Sequence, residues 1–219
     1  MLKRPAHLIR NSAVAGLLAL FCAACQPESG TDATAGAAEE VPALASFKEG
    51  QFESLDFDMD LQAPEVVFYD TNGGEARFSD FAGKVVVMNI WATWCTPCMA
   101  EMPSLAALQR EFSEEEVVVT PVASGMMLTS RARTDEEKTA ALEAAIVDHR
   151  DTLQELSEGV LPFYYDPGAD VTFAAKTGAF PSTIIYDPAG VEVVRLMRDA
   201  HWDTPEAIGL VRAVLNGAR

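Results

Sequence analysis

Short apolar runs and helical stripes alternate along the central and C-terminal parts of the chain. A continuous apolar run over 85–90 predicts a strand that is buried on both faces. Apolar residues at three- and four-residue spacing predict a helix over 99–112, with Pro103 expected to bend it, and a more charged helix over 135–156. Shorter strands are predicted at 66–69, 75–78, 117–119, 161–165, 183–186 and 191–197, and shorter helices at 171–176 and after 203.

Turn residues and caps indicate how these elements connect. Asn72-Gly73 supplies the positive φ angles of a tight hairpin between the first two strands, and residues 187–190 have the chemistry of a second hairpin turn. Pro121 is expected to end the strand before it, and Asp203 is expected to cap the last helix. The resulting order predicts an α/β fold, in which a central mixed sheet with an N-terminal β-hairpin is flanked by helices.

The N-terminus has the pattern of an export signal. Lys3, Arg4 and Arg10 precede an apolar run over 13–24, which is too short to span a bilayer comfortably and ends in small residues. Residues 1–24 are therefore predicted to be a signal peptide. The alternative is a short membrane anchor that is never cleaved.

Cys25 follows two small residues, in a pattern that resembles a bacterial lipobox. The resemblance implies cleavage before Cys25 and attachment of lipid to it, which would hold the protein at a membrane. Cys22 departs from the pattern, since Leu is most frequent at that position. Cleavage that leaves a soluble protein therefore remains the alternative.

Residues 25–60 are predicted to be a flexible tether and lead-in, followed by a single domain over 61–219. Up to Glu40 the tether offers almost no large apolar side chain and cannot bury enough surface to fold. The rest of the lead-in contains apolar residues that could either pack on the domain or form an irregular segment: Leu44, Phe47, Phe52, Leu55 and Phe57.

The composition suits one domain with a sizeable core, since 49% of the 219 residues are hydrophobic. The formal net charge of -17 argues against a nucleic-acid partner, for which a basic surface is expected. Four cysteines fall into two pairs. Cys22 and Cys25 lie in the N-terminal apolar stretch, whereas Cys95 and Cys98 lie alone in the middle of the chain.

Cys95 and Cys98 lie where the buried strand ends and a helix begins. Unpaired backbone N–H groups and the helix dipole favour negative charge there, so Cys95 can act as a thiolate nucleophile. Cys98 lies one turn further and can close on Cys95, which allows the pair to break a mixed disulfide from within. Pro97 removes one donor and stiffens the loop.

Other uses of these cysteines fit the sequence less well. Zinc needs four ligands, and the exported domain offers no second cysteine pair and only His149 and His201, both distant in sequence. A structural disulfide closing so short a loop would contribute little stability. A peroxidatic cysteine of the peroxiredoxin type would follow a Thr three residues earlier, where this chain has Ala92. No metal site and no cofactor are predicted.

The sequence Trp-Cys-Thr-Pro-Cys over 94–98, together with Phe-Pro-Ser-Thr over 180–183, resembles the thioredoxin superfamily. Residues 91–103 more narrowly resemble the TlpA/ResA group of membrane-tethered bacterial thioredoxin-like proteins, and residues 201–206 support this resemblance. It covers about 63–215 and implies a thioredoxin-like fold.

The resemblance also implies roles for individual residues. Cys95 would be the attacking thiolate, Cys98 the resolving thiol, and Pro181 a cis-proline beside them. Glu101 would tune proton transfer; its alternative is a solvated acid that suits the helix dipole. Thioredoxins carry a buried Asp six residues before the first cysteine, where this chain has Asn89, so Glu101 is the nearest candidate carboxylate.

The preferred interpretation is an exported reductant of protein disulfides that receives electrons from a membrane thiol donor. An extended partner would dock beside Cys95 and Pro181, on a surface formed by Trp94, Thr96, Pro97 and Phe180. By resemblance, its clients would serve cytochrome c maturation or copper-oxidase assembly. The alternative is a copper-handling assembly protein that uses the two thiols as soft ligands.

Overall fold

The computed structural model describes residues 42–57, 61–126 and 133–219. The predicted signal peptide over 1–24 and the predicted lipidation site Cys25 lie outside these ranges. Within them, no helix combines the length and the hydropathy that a bilayer crossing requires.

Strands in the described ranges form one mixed sheet. They are β1 (Phe68–Asp70), β2 (Glu75–Ala76), β3 (Val85–Trp91), β4 (Val117–Ser124), β5 (Tyr164–Asp166), β6 (Ser182–Tyr186) and β7 (Glu192–Leu196). Their order across the sheet is β2-β1-β5-β4-β3-β6-β7. β3 pairs in parallel with β4, as does β4 with β5, and the other neighbours are antiparallel. The predicted mixed sheet and N-terminal hairpin are confirmed.

Helices alternate with these strands along the chain and pack on the sheet. They are α1 (Thr96–Arg110), α2 (Asp135–Leu156), α3 (Asp170–Ala174) and α4 (Pro205–Leu215), with short 3₁₀ helices at Leu44–Phe47, Gly50–Phe52 and Phe78–Phe81. α2 has the predicted bounds, because Thr134 caps its first turn and forms a capping box with Glu137.

Side chains of β3 alternate between two hydrophobic clusters. Val85, Val87 and Trp91 belong to the cluster that also includes residues of α1, α2 and α4. Val86 and Met88 belong to a second cluster, which includes residues of β1 and α3. All of β3 is buried. This two-sided burial explains why the strand is an unbroken apolar run rather than an alternating one.

The expectation that Pro121 ends its strand is wrong, because β4 continues through it to Ser124. Pro121 pairs with Asn89 of β3, whereas β5 pairs only with residues 122–124. β4 therefore has a strand neighbour on one side only at Pro121. A proline without an N–H is tolerated at such a local edge.

The starts of α1 and α4 differ from the predicted ones, and their N-caps explain the difference. α1 begins at Thr96, earlier than predicted, because Cys95 acts as its N-cap. The cap of α4 is Thr204 and not Asp203: the Thr204 hydroxyl oxygen accepts from the Ala207 backbone N–H at 3.3 Å. Both caps satisfy a backbone donor that the first helical turn leaves unpaired.

The lead-in packs on the domain, which answers the question that the sequence left open. Leu44, Phe52 and Leu55 are buried in the same cluster as α1 and α4. The Asp56 backbone forms an antiparallel bridge with Arg195 of β7, with N–H to O distances of 2.9 and 2.8 Å. The lead-in thereby covers part of an edge strand. The boundary between tether and domain stays a prediction.

Candidate active site

Cys95 and Cys98 lie directly after β3, at the N-terminus of α1. They form a disulfide, and their Cα atoms are 5.3 Å apart. The Cys98 backbone N–H donates to Cys95 Sγ at 3.3 Å, so this sulfur takes the place of an N-cap acceptor. A thiolate at Cys95 would receive this hydrogen bond and the favourable field of the helix dipole.

Accessibility distinguishes the two cysteines. Cys95 is 6% exposed, whereas Cys98 is 0% exposed. An external disulfide can therefore approach Cys95 first, and Cys98 is available only from within the protein. This geometry suits an outer nucleophile and an inner resolving thiol.

Glu101 lies one turn after Cys98 on α1, and its side chain is only 2% exposed. Asn89 donates from Nδ2 to Glu101 Oε1 at 2.6 Å, and the Ala200 backbone N–H donates to Oε2 at 3.3 Å. Burial raises the pKa of Glu101 to about 7, and these donors offset only part of the increase. The Trp202 indole acts in the same direction as the donors, although its N–H lacks a hydrogen bond of standard geometry. Because Glu101 is buried, the alternative interpretation of a solvated acid is wrong.

Asn89 connects this carboxyl group to the strand that follows Pro181. It lies on the same side of β3 as Val87 and Trp91, which places it towards α1. Its Nδ2 also donates to Thr183 Oγ1 of β6 at 3.0 Å. Asn89 therefore does more than replace a carboxylate, because it donates a hydrogen bond to the carboxyl group of Glu101.

The Phe180–Pro181 peptide bond is cis, as the resemblance implied. Pro181 immediately precedes β6, whose first residue Ser182 pairs with Ile90 near the end of β3. Pro181 therefore lies at the end of the sheet from which the cysteine loop extends.

An aromatic pair forms the exposed surface beside the cysteines. The ring centroids of Trp94 and Phe180 are 5.1 Å apart. Trp94 is 49% exposed, and Phe180 is half-buried. Thr96 and Pro97 are also exposed. The structure thus brings two of the predicted docking residues into contact and leaves the other two accessible.

His149 also belongs to this site, although no pattern in the sequence predicted it there. It is fully buried, and its Nε2 accepts from the Thr93 backbone N–H at 3.3 Å, just before the cysteine motif. His149 lies between Ile146 and Leu153 on the predicted apolar stripe of α2. Its place in that stripe was the signal for its burial.

His201 does not take part in the site. It is exposed, and its backbone exchanges hydrogen bonds with the Gln51 side chain. Among the residues that the structure describes, no group of three or more His, Cys, Asp or Glu side chains could hold a metal ion.

The Redoxin family model matches residues 60–196, which is more than half of the chain. The chain belongs to the Redoxin family. One relative of this Redoxin-family chain is the thiol-disulfide oxidoreductase ResA of Bacillus subtilis (strain 168), which is 31% identical to it over 136 residues. The match covers 62% of this chain and 64% of ResA, so the chain spans slightly less than two thirds of that relative.

Solved structures match the fold of this Redoxin-family chain. A candidate thiol:disulfide interchange protein DsbE from Chlorobium tepidum aligns with a TM-score of 0.56 at 18% identity, covering 73% of this chain and 99% of its own. The exposed lipoprotein thioredoxin Etrx1 of Streptococcus pneumoniae strain TIGR4 aligns with a TM-score of 0.50 at 20% identity, covering 70% and 99%. These likenesses concern the fold alone, and they confirm the predicted thioredoxin-like arrangement.

Proposed function

We propose that this Redoxin-family chain is a thiol–disulfide oxidoreductase that reduces disulfides of protein partners. The observation that carries the proposal is the Cys95–Cys98 pair at the N-terminus of α1, with Glu101 buried one turn beyond it. One accessible and one buried sulfur suit exchange with an external disulfide. The name of the ResA relative, a thiol-disulfide oxidoreductase, supports the same activity.

In the reducing direction, the Cys95 thiolate attacks one sulfur of the partner's disulfide. A mixed disulfide forms, and the partner's other sulfur leaves as a thiolate that takes a proton from solvent. Cys98 then gives its thiol proton to the Glu101 carboxylate and attacks Cys95 Sγ. The bond between Cys95 and the partner breaks, and the partner's second sulfur leaves as a thiolate that takes a proton from solvent. The partner has then gained two electrons and two protons and is a dithiol, and the Cys95–Cys98 disulfide forms.

Glu101 suits the role of proton acceptor in the second step. With a pKa of about 7, it is ionised in a large fraction of molecules near neutral pH and can still hold a proton once it has received one. Its position one turn from Cys98, on the buried side of α1, supports transfer between these two groups.

The partner would dock on the exposed surface beside the cysteines. Trp94 and Phe180 offer an aromatic pair, and Thr96 and Pro97 offer an accessible loop. The backbone next to Pro181 would pair with an extended segment of the partner, since unpaired strand-like backbone binds peptides in this way.

We further propose that the protein acts outside the cytoplasm, at the bacterial cell envelope or in the periplasm. Residues 1–24 would direct export, and lipid on Cys25 would anchor the protein. A membrane thiol donor would reduce the pair again, and the clients would serve cytochrome c maturation or copper-oxidase assembly.

Turnover of a protein disulfide tests the activity. With a small dithiol as electron source, the purified protein is expected to accelerate reduction of a disulfide-bonded protein, and Cys95→Ala is expected to abolish the acceleration. Equilibration with a thiol redox buffer tests the direction. A reduction potential near that of thioredoxin, about −270 mV, supports reduction, whereas a value near the strong oxidant DsbA, about −120 mV, would reverse the assignment.

Copper binding tests the alternative function. The reduced protein is titrated with Cu(I) in the presence of a competing chelator. Tight binding that depends on both Cys95 and Cys98, in a protein without reductase turnover, would favour the copper-handling alternative.

A further inference from the structure

Helix α2 is tied to the loop that carries the nucleophile. The Thr93 backbone N–H donates to His149 Nε2 at 3.3 Å. Within the loop itself, the Cys95 backbone N–H donates to the Ala92 carbonyl oxygen at 3.1 Å. The segment between β3 and α1 is thus held by an internal hydrogen bond and by one from a separate helix.

The partners of the imidazole determine which of its nitrogens carries the proton. Nδ1 of His149 lies 2.7 Å from the Ala145 backbone carbonyl oxygen, which can only accept, so Nδ1 carries a hydrogen. Nε2 faces the Thr93 N–H, which can only donate, so Nε2 presents its lone pair. His149 is therefore neutral and bridges the active-site loop to the backbone of α2.

The surroundings of the ring keep this neutral form. Trp91 from β3 and Tyr165 from β5 pack against it, with ring centroids 5.4 and 5.9 Å away. Burial lowers the pKa of His149, and this effect is larger than those of the Ala145 carbonyl and the Asp148 carboxylate, which both favour a cation. An imidazolium would also place a second N–H against that of Thr93. The acceptor that Thr93 needs is thus preserved.

We infer that His149 is a positioning residue that fixes the 92–95 loop, so that Cys95 Sγ stays at the N-terminus of α1. This inference rests on the proposed function, since the reaction that the loop geometry serves is the proposed disulfide exchange at Cys95. Without the acceptor, the Thr93 N–H would lack a partner, and the loop would move to find one. Cys95 Sγ would then lose its alignment with the Cys98 N–H, which stabilises the thiolate.

Three variants separate positioning from packing. His149→Gln retains an acceptor at the distance of Nε2, whereas His149→Phe retains the ring volume and removes the acceptor. Leu153→Ala is the matched control, because Leu153 lies one turn further on the buried face of α2 and does not contact Thr93 through a hydrogen bond. It weakens the packing of the helix and leaves the bridge intact.

The measurement is the alkylation rate of Cys95 in the reduced protein across about pH 5 to 9, with the modified residue identified by mass spectrometry. His149→Phe is expected to slow alkylation at neutral pH about three- to tenfold, the range of one hydrogen bond, and to move the midpoint of the profile upwards. His149→Gln and Leu153→Ala are expected to stay within about twofold of the wild type. Equal losses in the Gln and Phe variants, or the same loss in Leu153→Ala, would overturn the inference.

A measurement on the unaltered protein keeps the test independent of how the variants fold. Nitrogen NMR of His149 is expected to show a protonated Nδ1 and an unprotonated Nε2, and a protonated Nε2 would overturn the inference. The proposed function can fail separately. If wild-type protein lacks reductase turnover, while His149→Phe slows Cys95 alkylation and His149→Gln does not, the proposed function fails and the positioning role stands.

Discussion

Glu101 is a buried carboxylic acid whose hydrogen-bond donors are neutral, and the Asp199 carboxylate adds to the rise of its pKa. Asn89 and the Ala200 backbone donate to its oxygens, and neither carries a charge. Desolvation therefore outweighs hydrogen bonding, and the pKa rises to about 7. A carboxyl group of this kind can take up the proton of Cys98 at neutral pH, as the proposed reaction requires.

Glu101→Gln is expected to change how stability depends on pH. The folded pKa of about 7 exceeds the ordinary value of 4.5, so the folded protein holds a proton that the unfolded chain releases in this window. The contribution of Glu101 to the free energy of unfolding therefore falls as pH rises from 4.5 to 7, by up to about 3 kcal/mol, and is level above it. Urea unfolding of the oxidised protein at several pH values gives the free energy of unfolding at each pH. The variant is expected to lose the decrease between pH 4.5 and 7 that Glu101 contributes.

Glu111→Gln is the control for this prediction, because Glu111 is an exposed acid at the end of the same helix. It is expected to leave the slope unchanged. If Glu101→Gln gives the same pH dependence as the wild type, Glu101 does not hold a proton in the folded state.

Trp94→Ala is expected to weaken docking without unfolding the protein. The indole is 49% exposed, so its loss is expected to change the free energy of unfolding by less than about 1 kcal/mol. For a protein disulfide, kcat/KM is expected to fall about tenfold, as for an aromatic anchor of an interface. Turnover of a small-molecule disulfide is expected to stay unchanged, since it does not use this surface.

Tyr69→Ala serves as the comparison for Trp94, because Tyr69 is an exposed aromatic residue on β1, away from the cysteine loop in the sheet order. It is expected to affect neither substrate. Equal losses on the small and the protein disulfide in Trp94→Ala would place Trp94 in the chemistry rather than in docking.

Sequence alone could identify the cysteines but not their surroundings. Cys95 and Cys98 are recognisable because their spacing and their place before a helix are local features. The burial of Glu101 depends on Ala200, which is 99 positions away, and the loop bridge joins Thr93 to His149 across 56 positions. Such contacts follow from how the elements pack, which no local pattern records.

Elements were predictable where their ends have local causes. The capping box at Thr134 and the apolar stripe set both the start and the extent of α2. β4 continues beyond Pro121 because β5 begins to pair only after that residue, and this is a property of the sheet. The structure of the lead-in could not be predicted for the same reason, since its burial depends on packing against α4 and pairing with β7.

Phe52→Ala is expected to destabilise the domain although it lies in the lead-in. Phe52 is 1% exposed, and its ring centroid is 5.6 Å from that of Trp202. Removing the ring leaves a cavity in the core, with an expected cost of about 3 to 5 kcal/mol in urea unfolding. Val147→Ala, at a site 47% exposed on α2, is expected to stay within about 0.5 kcal/mol of the wild type. A loss below 1 kcal/mol in Phe52→Ala would show that the lead-in is dispensable.

At the scale of the whole described domain, the two hydrophobic clusters lie on opposite faces of β3. The first cluster contains Cys95, Cys98 and Trp91, and Phe180 packs against the first and the second cluster. The reactive loop is thus supported by packing on each side of the sheet, while Trp94 remains accessible to a partner. The net charge of -17 adds a long-range preference for basic over acidic partners.

Capture of a mixed disulfide tests the central claim most directly. Reduced Cys98→Ala is mixed with a disulfide-bonded protein, and the products are identified by intact mass and by peptide mapping. The proposed order of attack predicts a covalent adduct at Cys95 that persists until a dithiol is added, and it predicts none in Cys95→Ala. Absence of an adduct in Cys98→Ala, or an equal yield through Cys98 in the Cys95→Ala variant, would contradict it.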